Sequence, residues 1–333
     1  MIKHCKTFFK FILLLLPVCF SIHATAGRLD KAFERLLIHD YFRAKEYFEK
    51  ELKKNPAPAA FGLSIIYSRN NNPFFNTDSA RKYILIADSS FLLLTEKSRI
   101  RLLKWKIDSD SIASLKSFIC SIAFRKAETS ASVDSLNHYL RLFSFCEEHQ
   151  AALALRNKIA FDQARKVNTA SAFKSFIDVY PDASEIDDAK SLYEQRLFEE
   201  FTSSHSLTSY EQFILQYPSS PYRKEAERMI YKLSTANPSV KTYHAFILKY
   251  PGNSFTTEDW RNLYNLYMKD YDEQLYEKFK REFPDYPFRN ELEEDYRLQR
   301  MIFLPFEKDN QWGYLNENGQ EMIRPQFSDA SLF

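Results

Sequence analysis

One phrase occurs four times in this chain: FKSFIDVYP at 173–181, YEQFILQYP at 210–218, YHAFILKYP at 243–251 and YEKFKREFP at 276–284. Its prolines advance by 37, 33 and 33 residues (218 − 181, 251 − 218, 284 − 251). A period of this length is typical of two-helix units that stack, because each unit buries its apolar face only against a neighbour. Residues 169–300 are therefore predicted to form four helical repeats.

Each copy has the apolar spacing of one helix face. In the third copy the apolar residues stand at i, i+3, i+4 and i+7, which are Tyr243, Phe246, Ile247 and Tyr250. The proline after the last aromatic residue ends the helix, because it lacks an N–H group and disfavours helical geometry in the residue before it. A second helix is predicted after each proline. We expect Ser220-Pro221 to open one of them with a capping hydroxyl and a first-turn proline.

The composition argues against several kinds of site. The 333-residue chain has a formal net charge of +2, which becomes −1 (2 − 3) without residues 1–26 and their three lysines. A nucleic-acid-binding protein normally shows a basic excess, so nucleic acid is not an expected partner. Only Gly62 and Gly252 lie between Arg28 and Trp312, whereas phosphate-binding loops and nucleophile elbows need clustered glycines. No cofactor and no catalytic residue is predicted.

The amino terminus has the three parts of a secretory signal peptide. Lysines precede the apolar run 11–20, and Ala24-Thr25-Ala26 then places small residues where a signal peptidase cuts. The run is shorter than the roughly 20 residues of a membrane span. Residues 1–26 are therefore predicted to be removed on export, to the periplasm, the outer membrane or the cell exterior. In a second interpretation, Cys19 ends a lipobox, and the chain contacts a membrane only in that case.

Two cysteines remain after the predicted cleavage, Cys120 and Cys146. An exported protein enters an oxidising compartment, in which the two could form a disulfide. Two buried thiols on separate helices are an equally good interpretation of the same residues.

Residues 27–76 predict helical hairpins at the start of the mature chain. The run from Asp40 to Leu52, with Ala44 where two helices would approach closely and Asn55-Pro56 at its end, resembles a tetratricopeptide repeat. This resemblance implies a second helix around 59–67. The segment Arg69–Asn76, rich in asparagine, is predicted to be a polar loop.

Residues 77–168 are interpreted as divergent helical repeats. Apolar stripes predict helices at 79–87, 93–107, 111–126, 132–146 and 150–166, with breaks at 88–90, 108–110 and 129–130. The four later copies resemble the tetratricopeptide-like repeats of outer-membrane assembly and cell-envelope lipoproteins, whose phrase is matched by Phe213 to Ser220. The resemblance covers roughly 29–300. It implies an architecture and carries no catalytic residues.

After Arg300 the pattern changes to short β-type runs at 301–306, 312–315 and 321–323. The turns between them, 308–310 and 316–319, hold Asn and Gly residues that tolerate left-handed backbone. Residues 301–333 resemble a WG repeat, a β-hairpin unit of bacterial envelope and secreted proteins. Its motif is matched by Trp312, Gly313, Tyr314, Asn318, Gly319, Pro325 and Phe327. The resemblance implies either the first unit of a longer array or a hairpin that docks on the last helix.

Few residues suggest chemistry. His138, Cys146 and His149 could share one side of a helix, but ordinary surface and partly buried side chains are the better interpretation, and no metal site is predicted. Tyr210, Tyr243 and Tyr276 recur at the 33-residue period (243 − 210, 276 − 243) and are the candidate partner-binding residues. Tyrosine suits that role because it offers a large contact area and a polar tip.

The sequence thus predicts an all-α fold, a superhelical stack of helical hairpins like a tetratricopeptide solenoid, followed by a short β-hairpin region. The predicted function is that of an exported, non-catalytic scaffold that holds a protein or peptide partner of the cell envelope on its concave face. The alternative is a glycan- or ligand-binding module that uses exposed aromatic rings and the WG-type region. An enzyme ranks third.

Overall fold

A computed structural model describes residues 27–270 and 272–331. The predicted signal peptide, and with it Cys19, lies outside these residues. Sixteen α-helices and one three-stranded antiparallel sheet occur in the described part of the chain. The predominantly helical class with a small β-region at the carboxyl end is therefore confirmed.

The first eight helices are α1 Arg28–Leu37, α2 Tyr41–Glu51, α3 Pro56–Ser68, α4 Thr77–Leu92, α5 Glu96–Leu102, α6 Ser109–Ser130, α7 Val133–Leu142 and α8 His149–Val167. They are followed by α9 Ala170–Val179, α10 Ile186–Phe201, α11 Leu207–Gln216, α12 Arg223–Ser234, α13 Val240–Lys249, α14 Thr256–Tyr267, α15 Glu273–Glu282 and α16 Arg289–Gln299. A 3-10 turn, Leu103–Trp105, extends α5. The strands are β1 Leu304–Lys308, β2 Gln311–Leu315 and β3 Glu321–Phe327. The chain forms two compact units, which meet in sequence at Lys190 and Ser191 inside α10.

The first hairpin is built as its sequence predicts. His39 takes a left-handed backbone conformation (φ 62°) between α1 and α2, and Asp40 then caps α2 by accepting a hydrogen bond from the Arg43 N–H. Ala44 is fully buried, as expected of a small residue at a close helix approach. The ring of Phe48 lies against Gly62 of α3, with no space left for a larger side chain.

Of the three breaks predicted between 77 and 168, the one at 88–90 is wrong and the one at 129–130 is placed two residues too early. Helix α4 runs through 88–90, where the Ser89 hydroxyl donates to the carbonyl oxygens of Leu85 and Ile86. Helix α6 includes Thr129 and Ser130, whose hydroxyls bond to carbonyls of the preceding turn, and the chain breaks at 131–132 instead. Hydroxyls that bond back to their own helix are compatible with its interior. The break at 108–110 is confirmed, because Asp108 caps α6 in a capping box with Ser111.

Two predicted helices are shorter in the structure. The segment predicted as one helix at 93–107 begins three residues later, at Glu96, and its last turn is the 3-10 turn. The helix predicted at 132–146 ends at Leu142. Its continuation contains Cys146, which forms a disulfide with Cys120 of α6 (Cα–Cα 5.7 Å). The structure thus chooses the disulfide over two separate thiols.

The four copies of the phrase have one geometry. Each first helix has ten residues and begins after a Ser, Thr or Asp cap, which are Thr169, Ser206, Ser239 and Asp272. Each ends at the aromatic residue before proline, with φ between −124° and −128° and ψ between 55° and 62°. The second helix begins six residues after that aromatic residue in every copy. Ser220-Pro221 therefore lies in the turn, and α12 begins at Arg223 instead of at the predicted proline.

The longer first period comes from one helix. Helix α10 has 16 residues, whereas α12 and α14 have 12 each, and the difference of four (16 − 12) equals the excess of 37 over 33. Four residues are close to one helical turn of 3.6 residues.

Each copy buries the same set of rings. The central phenylalanines, at most 3% exposed, are Phe176, Phe213, Phe246 and Phe279. Each packs on the aromatic residue four positions later, with ring centroids 5.0–5.3 Å apart. Each also meets a ring from the preceding second helix, 15 positions earlier, at 5.1–5.3 Å; these rings are Phe161, Phe198, Tyr231 and Tyr264. Aromatic pairs at such distances add to the stabilisation that burial provides.

Helix α13 belongs to two clusters in its unit. Phe246 packs with Tyr210, Phe213 and Ile230, while the adjacent Ile247 packs with the rings of the following copy. Polar contacts reinforce this order, since Tyr250 donates to Glu211 Oε1 (2.5 Å) and Ser254 donates to Glu227 Oε2 (2.7 Å). The hydrogen bond from Tyr250 lowers the pKa of Glu211.

The carboxyl-terminal sheet has the strand order β1-β2-β3. Its tight turns fall where the sequence predicts, with positive φ at Asp309, Asn310 and Gly319. Trp312 pairs with Phe327 and Tyr314 with Ile323, so two residues of β2 span four residues of β3, which bulges. A side chain at Gly313 would meet the Ile323 carbonyl oxygen (2.5 Å) and the Pro325 nitrogen (2.7 Å), which explains the glycine beside Trp312.

We expect Gly62→Ala to destabilise the first unit. The added methyl group would overlap the buried ring of Phe48, and such overpacking costs about 1–3 kcal/mol. This outweighs the helix-propensity gain of about 1 kcal/mol. Urea denaturation measures the change in the free energy of unfolding. Gly252→Ala is the control, because a Cβ there meets nothing within 4 Å. Equal or greater stability of Gly62→Ala would contradict this packing.

Replacing both cysteines with alanine should lower the free energy of unfolding by about 2–4 kcal/mol, because the disulfide reduces the conformational entropy of the unfolded chain. The bond closes a segment of 26 residues. Thermal melts with and without dithiothreitol check this. The reductant should lower the melting temperature of the wild type and leave that of the double variant unchanged. An effect of similar size on both proteins would argue against the bond.

Candidate functional site

The three candidate tyrosines are part of the packed interior. Tyr210 and Tyr276 are each 3% exposed, and Tyr243 is half-buried. They occupy the position that Phe173, fully buried, holds in the first copy. Tyr276 stacks on Tyr296 with centroids 4.0 Å apart. The period that suggested a contact role therefore comes from the core, and a partner has no access to Tyr210 or Tyr276 in this conformation.

Burial extends to most aromatic residues. Every tyrosine in residues 27–270 and 272–331 is buried or half-buried. In the same residues, the aromatic rings exposed by more than a third are Phe42, Phe75, Phe145 and Phe327. The aromatic content of the sequence is thus mainly used for packing between helices.

Two of the three residues considered for metal binding, His138 and Cys146, are engaged elsewhere. His138 Nε2 lies 2.8 Å from Asp78 Oδ2, and its Nδ1 accepts a hydrogen bond from Arg141 (3.2 Å). The sulfur of Cys146 is bonded to that of Cys120, so it is not a thiolate that could join His138 and His149 around a metal.

An open apolar groove runs between α8 and α9 in the first unit, with a volume of about 280 Å³. From α8 it receives residues at i, i+4 and i+7, which are Ala160, Ala164 and Val167. From α9 it receives the same spacing, Ala172, Phe176 and Val179. The spacing places each set on one helix face, so two apolar faces border one channel.

The shape of the groove follows from side-chain size. Its floor consists of Ala160, Ala164 and Phe176, all at most 8% exposed. Val167 and Val179 form its apolar rim, and each is 63% exposed. Because the floor is largely alanine, the two helices leave a depression that a larger side chain would fill. Sequence reasoning missed this site, although small and apolar residues at i, i+4 and i+7 in both helices, with alanine first and valine last, were a readable signal.

Polar groups border the groove. Gln163 and Ser175 line it, and Lys174 forms an ion pair with Asp178 (2.7 Å) on the outer side of α9. At one end, the Arg156 guanidinium lies 5.0 Å from the centre of the Tyr180 ring. The groove thus combines an apolar floor, hydrogen-bonding groups and charges of both signs at its edge, which is the pattern of a protein-binding surface.

One carboxyl group is buried without a partner. Asp259 of α14 is fully buried, and neither of its oxygens has a hydrogen-bond partner. Burial, with a smaller contribution from Glu258, raises its pKa to about 7. The group lies in the packed interior of the second unit, beside Trp260. We therefore expect its protonation to affect the stability of this unit and to make that stability depend on pH.

The stability of the second unit should fall as pH rises from about 4 to about 7. The folded chain keeps the Asp259 proton up to about 7, whereas an ordinary aspartate releases it near 3.8. The free energy of unfolding should change by about −1.4 kcal/mol per pH unit in this range, because the folded state binds one more proton than the unfolded state. Asp259→Asn should remove this slope and be more stable than the wild type at about pH 8. Exposed Asp285→Asn is the control. Parallel pH profiles for Asp259→Asn and the wild type would contradict the assignment.

No helix in the described part of the chain combines the length and apolar character needed to cross a membrane. No protein-family model and no curated protein matches the chain.

Proposed function

We propose that this protein is an exported, non-catalytic scaffold of the cell envelope that binds a protein or peptide partner. In this proposal its hairpins form a superhelix like that of tetratricopeptide proteins, and the carboxyl-terminal sheet is a WG-type unit. The groove between α8 and α9 is the proposed binding site. It takes the place of Tyr210, Tyr243 and Tyr276, the partner-binding residues that the sequence predicts.

The observation that supports this proposal is the exposure of Val167 and Val179 over a floor of alanine. A partner that covers such an exposed branched side chain removes apolar surface from water, which favours binding by about 25 cal/mol per Å² of apolar surface buried. An amphipathic helix fits such a channel, because its own side chains at i, i+3, i+4 and i+7 form a ridge of matching period.

The partner's chemistry follows from the lining. Large aliphatic or aromatic side chains would fill the depression over Ala160 and Ala164, and the amide of Gln163 and hydroxyl of Ser175 would bond polar groups at the rim. Sugar rings stack on exposed aromatic rings. The groove's aromatic members, Phe176 and Tyr180, are buried and half-buried, so the lining favours a peptide over a glycan.

Selection from a displayed library of random peptides tests the proposal. We expect enriched peptides with apolar residues at helical spacing, and Val167→Glu/Val179→Glu should weaken their binding about tenfold or more, since it places two charges on an apolar contact. Both valines are exposed, so the variant should keep its fold. Fluorescence anisotropy of a labelled peptide gives the affinities, and circular dichroism checks folding.

The matched control is Leu215→Glu/Leu248→Glu, which changes two leucines that are 81% and 69% exposed in the second unit. It adds the same charge and should leave the affinity unchanged. Equal weakening by both double variants, or a failure to enrich any peptide, would refute the groove as the binding site.

A further inference from the structure

The segment that joins α4 to α6 exposes aliphatic side chains to an unusual degree. Leu92 is 68% exposed, Leu93 86%, Ile100 58% and Leu103 52%. These four residues lie within twelve positions, at the end of α4, in the following turn, in α5 and in the 3-10 turn after it. Single exposed aliphatic residues are common on proteins, but a group of this size within one short segment is a candidate for an interaction surface. We name residues 92–106 the basic tip.

The same segment concentrates positive charge. It contains Lys97, Arg99, Arg101, Lys104 and Lys106 and only one acid, Glu96. Arg99 is committed locally, because it donates to the Leu92 carbonyl oxygen (3.0 Å) and lies over the Phe91 ring. Lys104 pairs with Asp30 of α1 (2.7 Å). Within residues 27–270 and 272–331, Lys97, Arg101 and Lys106 are exposed and form no ion pair.

Packing fixes which side of the basic tip faces outward. Leu102 and Ile107 are buried, and Trp105 stacks on Phe33 of α1 with centroids 5.0 Å apart. The opposite face carries Lys97, Ile100, Arg101 and Lys104, at helical spacings of three, four and seven residues. Ile100 and the three cationic side chains thus share one outward face, which packing on the inner face holds in place.

We propose that the basic tip binds the surface of an anionic lipid bilayer. Leu92, Leu93, Ile100 and Leu103 would enter the headgroup region, while the lysine and arginine side chains remain among the lipid phosphates. Long cationic side chains suit this position, because their stems cover apolar surface while their charges stay in water. Aliphatic residues beside a cluster of cations are the pattern of proteins that lie on a membrane without crossing it.

This proposal is independent of the peptide groove, which lies on α8 and α9. It also differs from lipidation at Cys19, because the contact is made by folded residues of the first unit. A soluble acidic protein would satisfy the charges but offers no apolar phase for four aliphatic side chains. Loss of the leucines should therefore weaken binding to a bilayer and leave binding to an acidic protein unchanged.

Flotation with lipid vesicles tests the proposal, using the chain purified as cells export and process it. We expect binding to vesicles of phosphatidylglycerol and phosphatidylcholine at a ratio of about one to three, with little binding to phosphatidylcholine alone. Leu92→Ser/Leu93→Ser and Lys97→Glu/Arg101→Glu should each reduce binding about tenfold or more. Salt should weaken the binding of the wild type, because it screens the surface charges.

Leu215→Ser/Leu248→Ser is the matched control, since it removes two equally exposed leucines elsewhere and should bind vesicles like the wild type. Wild-type binding that neither basic-tip variant reduces would overturn the proposal. A second result would also overturn it: only the charge variant loses binding, and both leucine variants are retained equally on polyglutamate beads and on vesicles. That result would indicate that the partner of the basic tip is an acidic macromolecule.

Discussion

The repeated part of this structure depends on the contact between a buried phenylalanine and the aromatic residue that precedes proline. In each copy the proline removes an N–H group and ends the helix, and the residue before it turns its ring back onto the phenylalanine one turn earlier. The ring that arrives from the preceding second helix completes the cluster. The end of the helix thereby fixes both the position of the turn and the packing of the aromatic rings on the phenylalanine. This is why the cap angles agree to within a few degrees across copies whose other residues differ.

Much of this arrangement can be read from the sequence, because helix ends and apolar periods are local properties. The four caps, the turn at 108–110 and the glycine and asparagine turns of the sheet are all set by the residues that form them. The wrong break at 88–90 and the displaced break at 129–130 have the same origin, since serine and threonine favour turns only when their hydroxyls bond to groups outside the helix. The rings of Phe161, Phe198, Tyr231 and Tyr264, in the preceding second helices, recur at the same spacings of 37, 33 and 33 residues (198 − 161, 231 − 198, 264 − 231).

The candidate site was harder to predict, because a repeat period does not distinguish residues that pack from residues that bind. Tyr210 and Tyr276 recur because every copy needs a ring at that place. The groove, by contrast, results from small side chains at Ala160 and Ala164, and alanine at helical spacing is just as compatible with a close helix contact. Whether two such faces meet or remain open depends on the tertiary arrangement. The basic tip was also hard to predict, because the apolar stripe at 93–107 does not show that α5 begins only at Glu96 and that Leu93 lies exposed in the turn before it.

The extra length of α10 shows how such an array accommodates changes in chain length. Its four additional residues advance the helix by about 400°, so the ring of Phe198 keeps nearly the same direction as Tyr231 and Tyr264 in the shorter helices. An insertion of one or two residues would rotate that ring by about 100–200° and separate it from its partner. Tolerance to insertion and deletion in these second helices should therefore come in whole turns. Divergent relatives of such an array would then differ in repeat length by three or four residues far more readily than by one or two.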